Sequence, residues 1–126
     1  MEISAYERIG GEAGLRLIID DFVTRVFADV MIGFFFRDVP HKRIAEFEFQ
    51  HAASFLGGPV EYKGRPLGLA HQKHPILGGH FARRTQILRQ TLQAHAVPED
   101  IARAWLDHTE SLRPEITRQP GGQCID

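Results

Sequence analysis

The stretch "LGGPVEYKGRPLGLAH", residues 56 to 71, ends one helical pattern of this chain and begins a long interruption. Before it, the run from His41 to Leu56 has apolar side chains at helical spacing. Gly57 and Gly58 follow that run in the position expected of a C-terminal helix cap. The stretch therefore predicts a helix that stops at a fixed point and passes into irregular backbone.

Glycine and proline recur from residue 57 to residue 79, which predicts a long loop with one or two helical turns near Leu67 to His74. A loop of that length inside a compact domain is more often functional than idle. A helical pattern returns at His80 and continues to Val97. The sequence thus predicts that this loop carries functional residues between two helices.

Two further stretches show the three- and four-residue spacing of a helical face. The first contains Leu15, Ile18, Ile19, Phe22 and Val26. The second begins at Pro98 and contains Ile101, Ala104, Trp105, His108 and Leu112, with Ile116 beyond a kink at Pro114. No stretch alternates polar and apolar residues as a strand does. We therefore expect an all-α fold with about four long helices.

The helix from His41 to Leu56 carries two apolar stripes, and Pro40 suits its first turn. One stripe contains Ile44, Phe47, His51 and Phe55. The other contains Ala45, Phe49, Ala52 and Leu56. We expect this helix to be buried on more than one face.

A chain of 126 residues fits one domain, 1–126, in which about 118–126 form a polar tail. The formal net charge of -1 lacks the basic excess of a nucleic-acid binder. The apolar stretch "VMIGFFF" is too short to cross a membrane, and the N-terminus lacks the pattern of a signal peptide. The single cysteine, Cys124, rules out an internal disulfide, so we expect a cytoplasmic protein.

Three histidines, His71, His74 and His80, fall within ten residues. A zinc site is disfavoured, because proline and glycine separate His80 from the others and no thiolate or paired carboxylate joins them. One histidine is enough for haem, whose porphyrin completes the coordination of the iron and needs an apolar, aromatic slot. From the residues alone, a surface or capping role for His71 remains the better interpretation.

Five motifs in order change that interpretation: "YERIGGEAGLRLIIDDF", "FFFRDV", "LGGPVEYKGRPLGLAH", "HF" and "VPED". Together they resemble the truncated haemoglobins, the short two-over-two globins, most closely their first group. The resemblance extends from Tyr6 to the last helix. It implies a two-over-two globin fold with haem b between the helices and an iron that binds O2, NO or CO.

The resemblance makes His71 the proximal ligand of the haem iron. It implies haem contacts from Phe35, Phe36, Tyr62, Ile76 and Phe81, and a propionate contact from His74. The distal positions of the family correspond to Val23, Ile44 and Glu48, with Phe47 beside them. At Val23 the family usually has a tyrosine whose hydroxyl donates to the ligand. Losing that hydrogen bond costs about 1 to 3 kcal/mol, or roughly tenfold to a hundredfold in O2 affinity.

Glu48 has two interpretations. In the first, the helix is rotated so that Glu48 reaches solvent or a cation such as Lys42 or Arg43. In the second, it enters the pocket as a hydrogen-bond donor, an anionic ligand of ferric iron or an acid–base group for peroxide, with His51 assisting. The second interpretation makes Glu48 a candidate catalytic residue.

The first functional reading is a globin that binds diatomic gases, for oxygen transport, NO or O2 detoxification as an NO dioxygenase, or sensing. The alternative is a peroxidase-like enzyme that uses Glu48. A haem-free interaction module is disfavoured because it would not need His71. An electron-donating reductase is an expected partner. Arg83, Arg84 and Arg89 suggest a solvated face, which we favour over a docking patch for that reductase.

Overall fold

The computed structural model describes residues 3–61 and 78–112, and these residues form helices joined by turns, without a strand among them. The helices are α1 (Ala5–Arg8), α2 (Gly11–Ala28), a 3-10 helix (Gly33–Phe36), α3 (His41–Phe55), α4 (Gly78–Ala94) and α5 (Glu99–Ser111). The all-α prediction is confirmed. Within the described part, no helix is both long and apolar enough to cross a membrane.

The centre of the fold is α2, which packs against both α3 and α4, while α4 packs against α5. The predicted apolar face of α2 is buried, and Val23 joins it. Leu15 is completely buried, and Phe22 and Val26 are nearly so. Burying side chains of this size stabilises the fold by about 1.5 to 3 kcal/mol each. The helical spacing therefore identified the core face of α2 correctly.

The glycine pair after α3 closes the helix and docks α1 onto its end. Gly57 has a left-handed φ of 88°, and Gly58 N–H donates to the Ala53 carbonyl at 2.8 Å. This is the bonding pattern of a glycine-terminated helix. A Cβ on Gly58 would lie 2.7 Å from the Tyr6 ring, and Tyr6 N–H donates to the Leu56 carbonyl at 2.9 Å. Gly57 therefore supplies a left-handed backbone conformation, and Gly58 leaves room for the Tyr6 ring.

The two stripes of α3 differ in burial. The second stripe is buried, with Ala45, Phe49, Ala52 and Leu56 all at 8% exposure or less. The first is only half-buried at Ile44, Phe47 and His51, and Phe55 is 37% exposed. Protein therefore covers one face of α3 fully and the other face partly. Pro40 precedes the first turn as the capping residue, one position earlier than expected.

Helix α4 ends earlier than its periodicity suggests. Helix α4 stops at Ala94, because Ala96 takes a left-handed φ of 52° and Val97 N–H donates back to the Leu92 carbonyl at 3.0 Å. Helix α5 ends at Ser111, so its predicted continuation past Pro114 lies outside the described residues. Helix boundaries depend on such terminal bonds, which apolar spacing does not encode.

Candidate functional site

A cavity lies where the 3-10 helix, α2, α3 and α4 meet. It contains about 210 Å³ of empty space, part of which is open to solvent. Its walls are formed by Phe22, Val23, Val26, Phe36, Ile44, Glu48 and Arg84. Five of these side chains are apolar and the other two carry opposite charges. The cavity therefore combines an apolar volume with one polar feature.

Helix α2 forms an apolar wall of the cavity. Val23 is 1% exposed, and Phe22 and Val26 on either side of it are almost as well buried. None of these three side chains has a hydrogen-bonding group. These three residues therefore give the α2 wall no hydrogen-bond donor for a bound molecule.

Helix α3 contributes Ile44 and Glu48, which stand one turn apart and therefore share a face. Phe47 is half-buried beside them, and the Arg43 guanidinium lies 5.8 Å from its ring centroid. The ring of His51 stacks on that of His108 in α5, at 5.5 Å between centroids. His51 thus lies against α5 and not on the wall formed by Ile44 and Glu48.

Glu48 forms an ion pair with Arg84 of α4. Nη2 of Arg84 donates to Oε1 of Glu48 at 2.9 Å and to Oε2 at 3.0 Å. The two side chains are 31% and 17% exposed, so the pair is partly shielded from water. The Arg84 guanidinium also lies 5.0 Å from the centroid of the Phe22 ring, within the range of a cation–π contact. These contacts fix the charged groups at the cavity wall.

This pair corrects two interpretations of the sequence. Glu48 does not pair with Lys42 or Arg43, because its carboxylate is held by Arg84. Arg84 does not belong to a solvated face or docking patch, because its side chain is only 17% exposed. Arg84 follows the buried Phe81 by three residues, which places both on one helical face. That spacing could have predicted that Arg84 lies on the buried side of α4. From the sequence, Arg84 was instead grouped with Arg83 and Arg89.

The other two arginines of that group are bound elsewhere. Nη2 of Arg83 donates to Oδ1 of Asp29 at 2.6 Å, and Nη1 of Arg89 donates to Gln86 at 2.7 Å. Bonding to Arg83 holds the pKa of Asp29 below its ordinary value. Asp29 also accepts the backbone N–H groups of Met31 and Ile32. Arg83 thereby ties α4 to the turn that leads into the aromatic 3-10 helix.

The 3-10 helix carries three consecutive phenylalanines beside the cavity. Phe36 lines the cavity and stacks on Phe27, at 5.1 Å between ring centroids. Phe35 stacks on Phe34 at 4.2 Å and meets the edge of the His80 ring at 5.0 Å. Nδ1 of His80 is buried and has no hydrogen-bond partner among the described residues. Within the described part of the chain, this cluster is an aromatic surface with one buried polar atom that has no partner.

Several predicted site residues cannot be placed. His71, Tyr62, His74 and Ile76 lie outside the described residues, so the assignment of His71 as the iron ligand stays a prediction. Phe81 is completely buried in α4. In residues 3–61 and 78–112 there is no cluster of three or more His, Cys, Asp or Glu side chains that could hold a metal ion.

Comparison with known proteins identifies the fold family. A family model described as bacterial-like globin matches residues 4–118. The chain belongs to this family. Within it, the chain is similar to the group 1 truncated hemoglobin GlbN of Mycolicibacterium paratuberculosis, with 32% identity over 120 residues, covering 95% of this chain and 88% of the relative. The resemblance to the first group of truncated haemoglobins is therefore confirmed.

Two further comparisons agree with that assignment. The group 1 truncated hemoglobin GlbN of Synechocystis sp. is 35% identical over 104 residues, covering 76% of this chain and 81% of the relative. A solved 2/2 hemoglobin of Synechococcus sp. superimposes with a TM-score of 0.86 at 24% identity, covering 92% of this chain and 99% of the other. The likeness of structure confirms the two-over-two globin fold of this truncated haemoglobin.

Membership of this family implies haem, with its iron, as the cofactor. The described residues fit such a group, because aliphatic and aromatic side chains form most of the cavity wall. The stacked phenylalanines beside the cavity suit contact with a flat macrocycle, and Nδ1 of His80, which has no partner within residues 3–61 and 78–112, suits a polar group at its edge. The site of this globin is therefore chemically suited to its family cofactor.

Proposed function

We propose that this truncated haemoglobin binds haem b through His71 and takes a diatomic ligand (O2, NO or CO) in the cavity between α2, α3 and α4. The observation that carries the proposal is the apolar cavity itself, in a chain that has the two-over-two globin fold. His71 would hold the haem, and the haem would supply an iron that can bind a gas molecule.

Each wall has a distinct part in this proposal. Val23 and Ile44 exclude water from the ligand volume and leave space for a small molecule. Phe36, supported by its stack on Phe27, would contact the macrocycle. Phe35, Phe47, Phe81, Tyr62 and Ile76 are proposed as further contacts, and His74 as the partner of a propionate. Arg84 and Glu48 are the polar groups available to a ligand.

The lack of a donor on α2 argues for NO or O2 chemistry over oxygen transport in this proposal. Stable storage of O2 benefits from a neutral hydrogen-bond donor close to the ligand, and the α2 wall has none. The proposed role is therefore NO or O2 detoxification or sensing. A reductase in the cytoplasm would return the iron to its ferrous form.

The test of this function is haem binding. The purified chain should take up haem with an intense absorption band near the blue edge of the visible spectrum, and CO should shift that band when the iron is reduced. His71→Ala should lose the band's normal position and intensity. His95→Ala is the matched control, since His95 bonds to Asp21 and lies outside the cavity wall. An unaltered spectrum in His71→Ala would remove the proposal.

A second candidate function is peroxidase-like catalysis, favoured by the carboxylate of Glu48 on the cavity wall. A carboxylate there can receive a proton and return it to an atom of a peroxide inside the cavity. Its bond to Arg84 keeps that carboxylate at a fixed place. Sustained oxidation of an electron donor by hydrogen peroxide, lost in Glu48→Gln, would favour this function over reversible gas binding.

A further inference from the structure

The Glu48–Arg84 pair places a cation on the wall of an otherwise apolar cavity. A guanidinium has five N–H donors in a fixed fork. Both bonds to Glu48 come from the single nitrogen Nη2. No acceptor among residues 3–61 and 78–112 is bonded to Nε or Nη1 of Arg84. The guanidinium therefore keeps donors that a bound molecule could use.

We propose that Arg84 determines the ligand specificity of this site by favouring small inorganic anions, such as azide, over neutral ligands such as CO. The inference rests on the proposed haem function and adds the chemical class of ligand. Hydrogen bonds from a charged donor to an anion are about twice as strong as bonds between neutral groups. A neutral, weakly polar gas gains much less from the same guanidinium.

Burial is the reason why this cation should matter. The Arg84 side chain is 17% exposed, so water screens its charge less than at the surface. The neighbouring walls at Phe22 and Val23 are apolar and almost fully buried. An anion entering the cavity therefore meets a charged donor whose field is screened less than it would be at the surface. The site should therefore bind an anion more tightly than a neutral ligand of similar size.

Glu48 acts as a positioning residue in this proposal. It holds Nη2 of Arg84 at the wall and partly neutralises its charge. Removing the carboxylate charge while keeping the shape should leave a stronger cation in the cavity. The proposal therefore predicts opposite effects for changes at the two partners. If the ion pair only stabilised the fold, changes at Arg84 and at Glu48 would alter anion affinity in the same direction.

The experiment measures azide affinity of the ferric holoprotein and CO affinity of the ferrous holoprotein by spectral titration. In Arg84→Met, the ratio of azide affinity to CO affinity should fall roughly tenfold to a hundredfold. In Glu48→Gln, the same ratio should rise. Arg84→Lys should recover only part of the loss, because lysine keeps the charge without the fork. The infrared stretching band of bound azide should also shift in Arg84→Met.

Arg89→Met is the matched control, because Arg89 lies on the same helix but bonds to Gln86 outside the cavity. It should leave both affinities unchanged. Urea unfolding of each variant checks that the fold is kept. If Arg84→Met takes up haem and binds CO but keeps the normal azide ratio, the anion inference is overturned while the haem function stands. If wild-type protein takes up no haem, the proposed function itself fails.

Discussion

Val23 and Arg84 give the walls of the cavity opposite chemical character. Val23 is buried and has no hydrogen-bonding group, whereas Arg84 brings a fixed cation from the facing helix α4. The sequence allowed the consequence of Val23 to be predicted, because one side chain either has a donor or lacks it. The consequence of Arg84 depends on which residue of α3 faces it, and spacing along one helix does not give that.

Introducing a phenol at residue 23 tests the role of the apolar wall. We expect Val23→Tyr to slow O2 dissociation roughly tenfold to a hundredfold, because a hydroxyl could then donate to the ligand. Stopped-flow displacement of O2 by CO measures that rate. Val23→Phe adds the ring without the hydroxyl and controls for the change in volume. Equal effects of Tyr and Phe would attribute the change to crowding and contradict the hydrogen-bond explanation.

At the scale of helices, glycines and left-handed residues decide where each element stops. Gly57 and Gly58 were correctly predicted as the end of α3, because a left-handed residue after a helix is usually glycine. The end of α4 was placed too late, at Val97. Ala96 takes the left-handed conformation after this helix, and an alanine is not recognisable in a sequence as a helix end, whereas a glycine is. The backbone angles therefore identify the end of α4, whereas the sequence does not.

Replacing Gly57 by alanine should destabilise the protein. At a φ of 88° a Cβ is strained, and we expect a loss of about 1 to 2 kcal/mol in the free energy of unfolding. Urea unfolding followed by circular dichroism measures it. Gly57→Asn is the control and should lose less, since asparagine tolerates left-handed backbone better. A neutral Gly57→Ala would show that the end of α3 is not held at this angle.

Ala96→Gly should have the opposite effect. The substitution relieves a left-handed alanine at the end of α4, and the greater freedom of glycine in the unfolded chain offsets part of that gain. We expect an increase of about 0.5 to 1 kcal/mol in the free energy of unfolding. Ala94→Gly, inside the last turn of α4, should instead be destabilising. If Ala96→Gly and Ala94→Gly lowered the free energy of unfolding by similar amounts, the predicted difference between these positions would be contradicted.

At the scale of the whole molecule, two histidines join α3 to α5. The ring of His108 in α5 stacks on two rings of α3. Its centroid lies 4.0 Å from that of Phe55 and 5.5 Å from that of His51. Burial, and to a lesser degree the charge of His51, holds the pKa of His108 below its ordinary value of 6.5. We therefore expect the contact between these helices to respond to pH.

Stability should fall as this contact takes up protons. Because the pKa of His108 is lowered in the folded state, the unfolded chain binds the proton first, and the unfolding equilibrium shifts as pH falls below about 6.5. We expect the free energy of unfolding to drop less in His108→Phe than in wild type between about pH 7.5 and about pH 5. Urea unfolding at both pH values measures the difference. His41→Phe is the control, because it makes the same substitution at a histidine that packs on Phe27 instead of at the contact between α3 and α5. Parallel pH profiles for wild type and His108→Phe would contradict the prediction.

The sequence by itself determined the helical architecture, the core face of α2, the glycine end of α3 and the globin family. Those features depend on short-range patterns: the side chains of one helix turn, a cap, or motifs in fixed order. Only the tertiary structure decided that Glu48 meets Arg84, 36 residues away, and that Asp29 meets Arg83, 54 residues away. Helical spacing tells which face a side chain occupies, but the partner across the interface depends on how two helices are packed together.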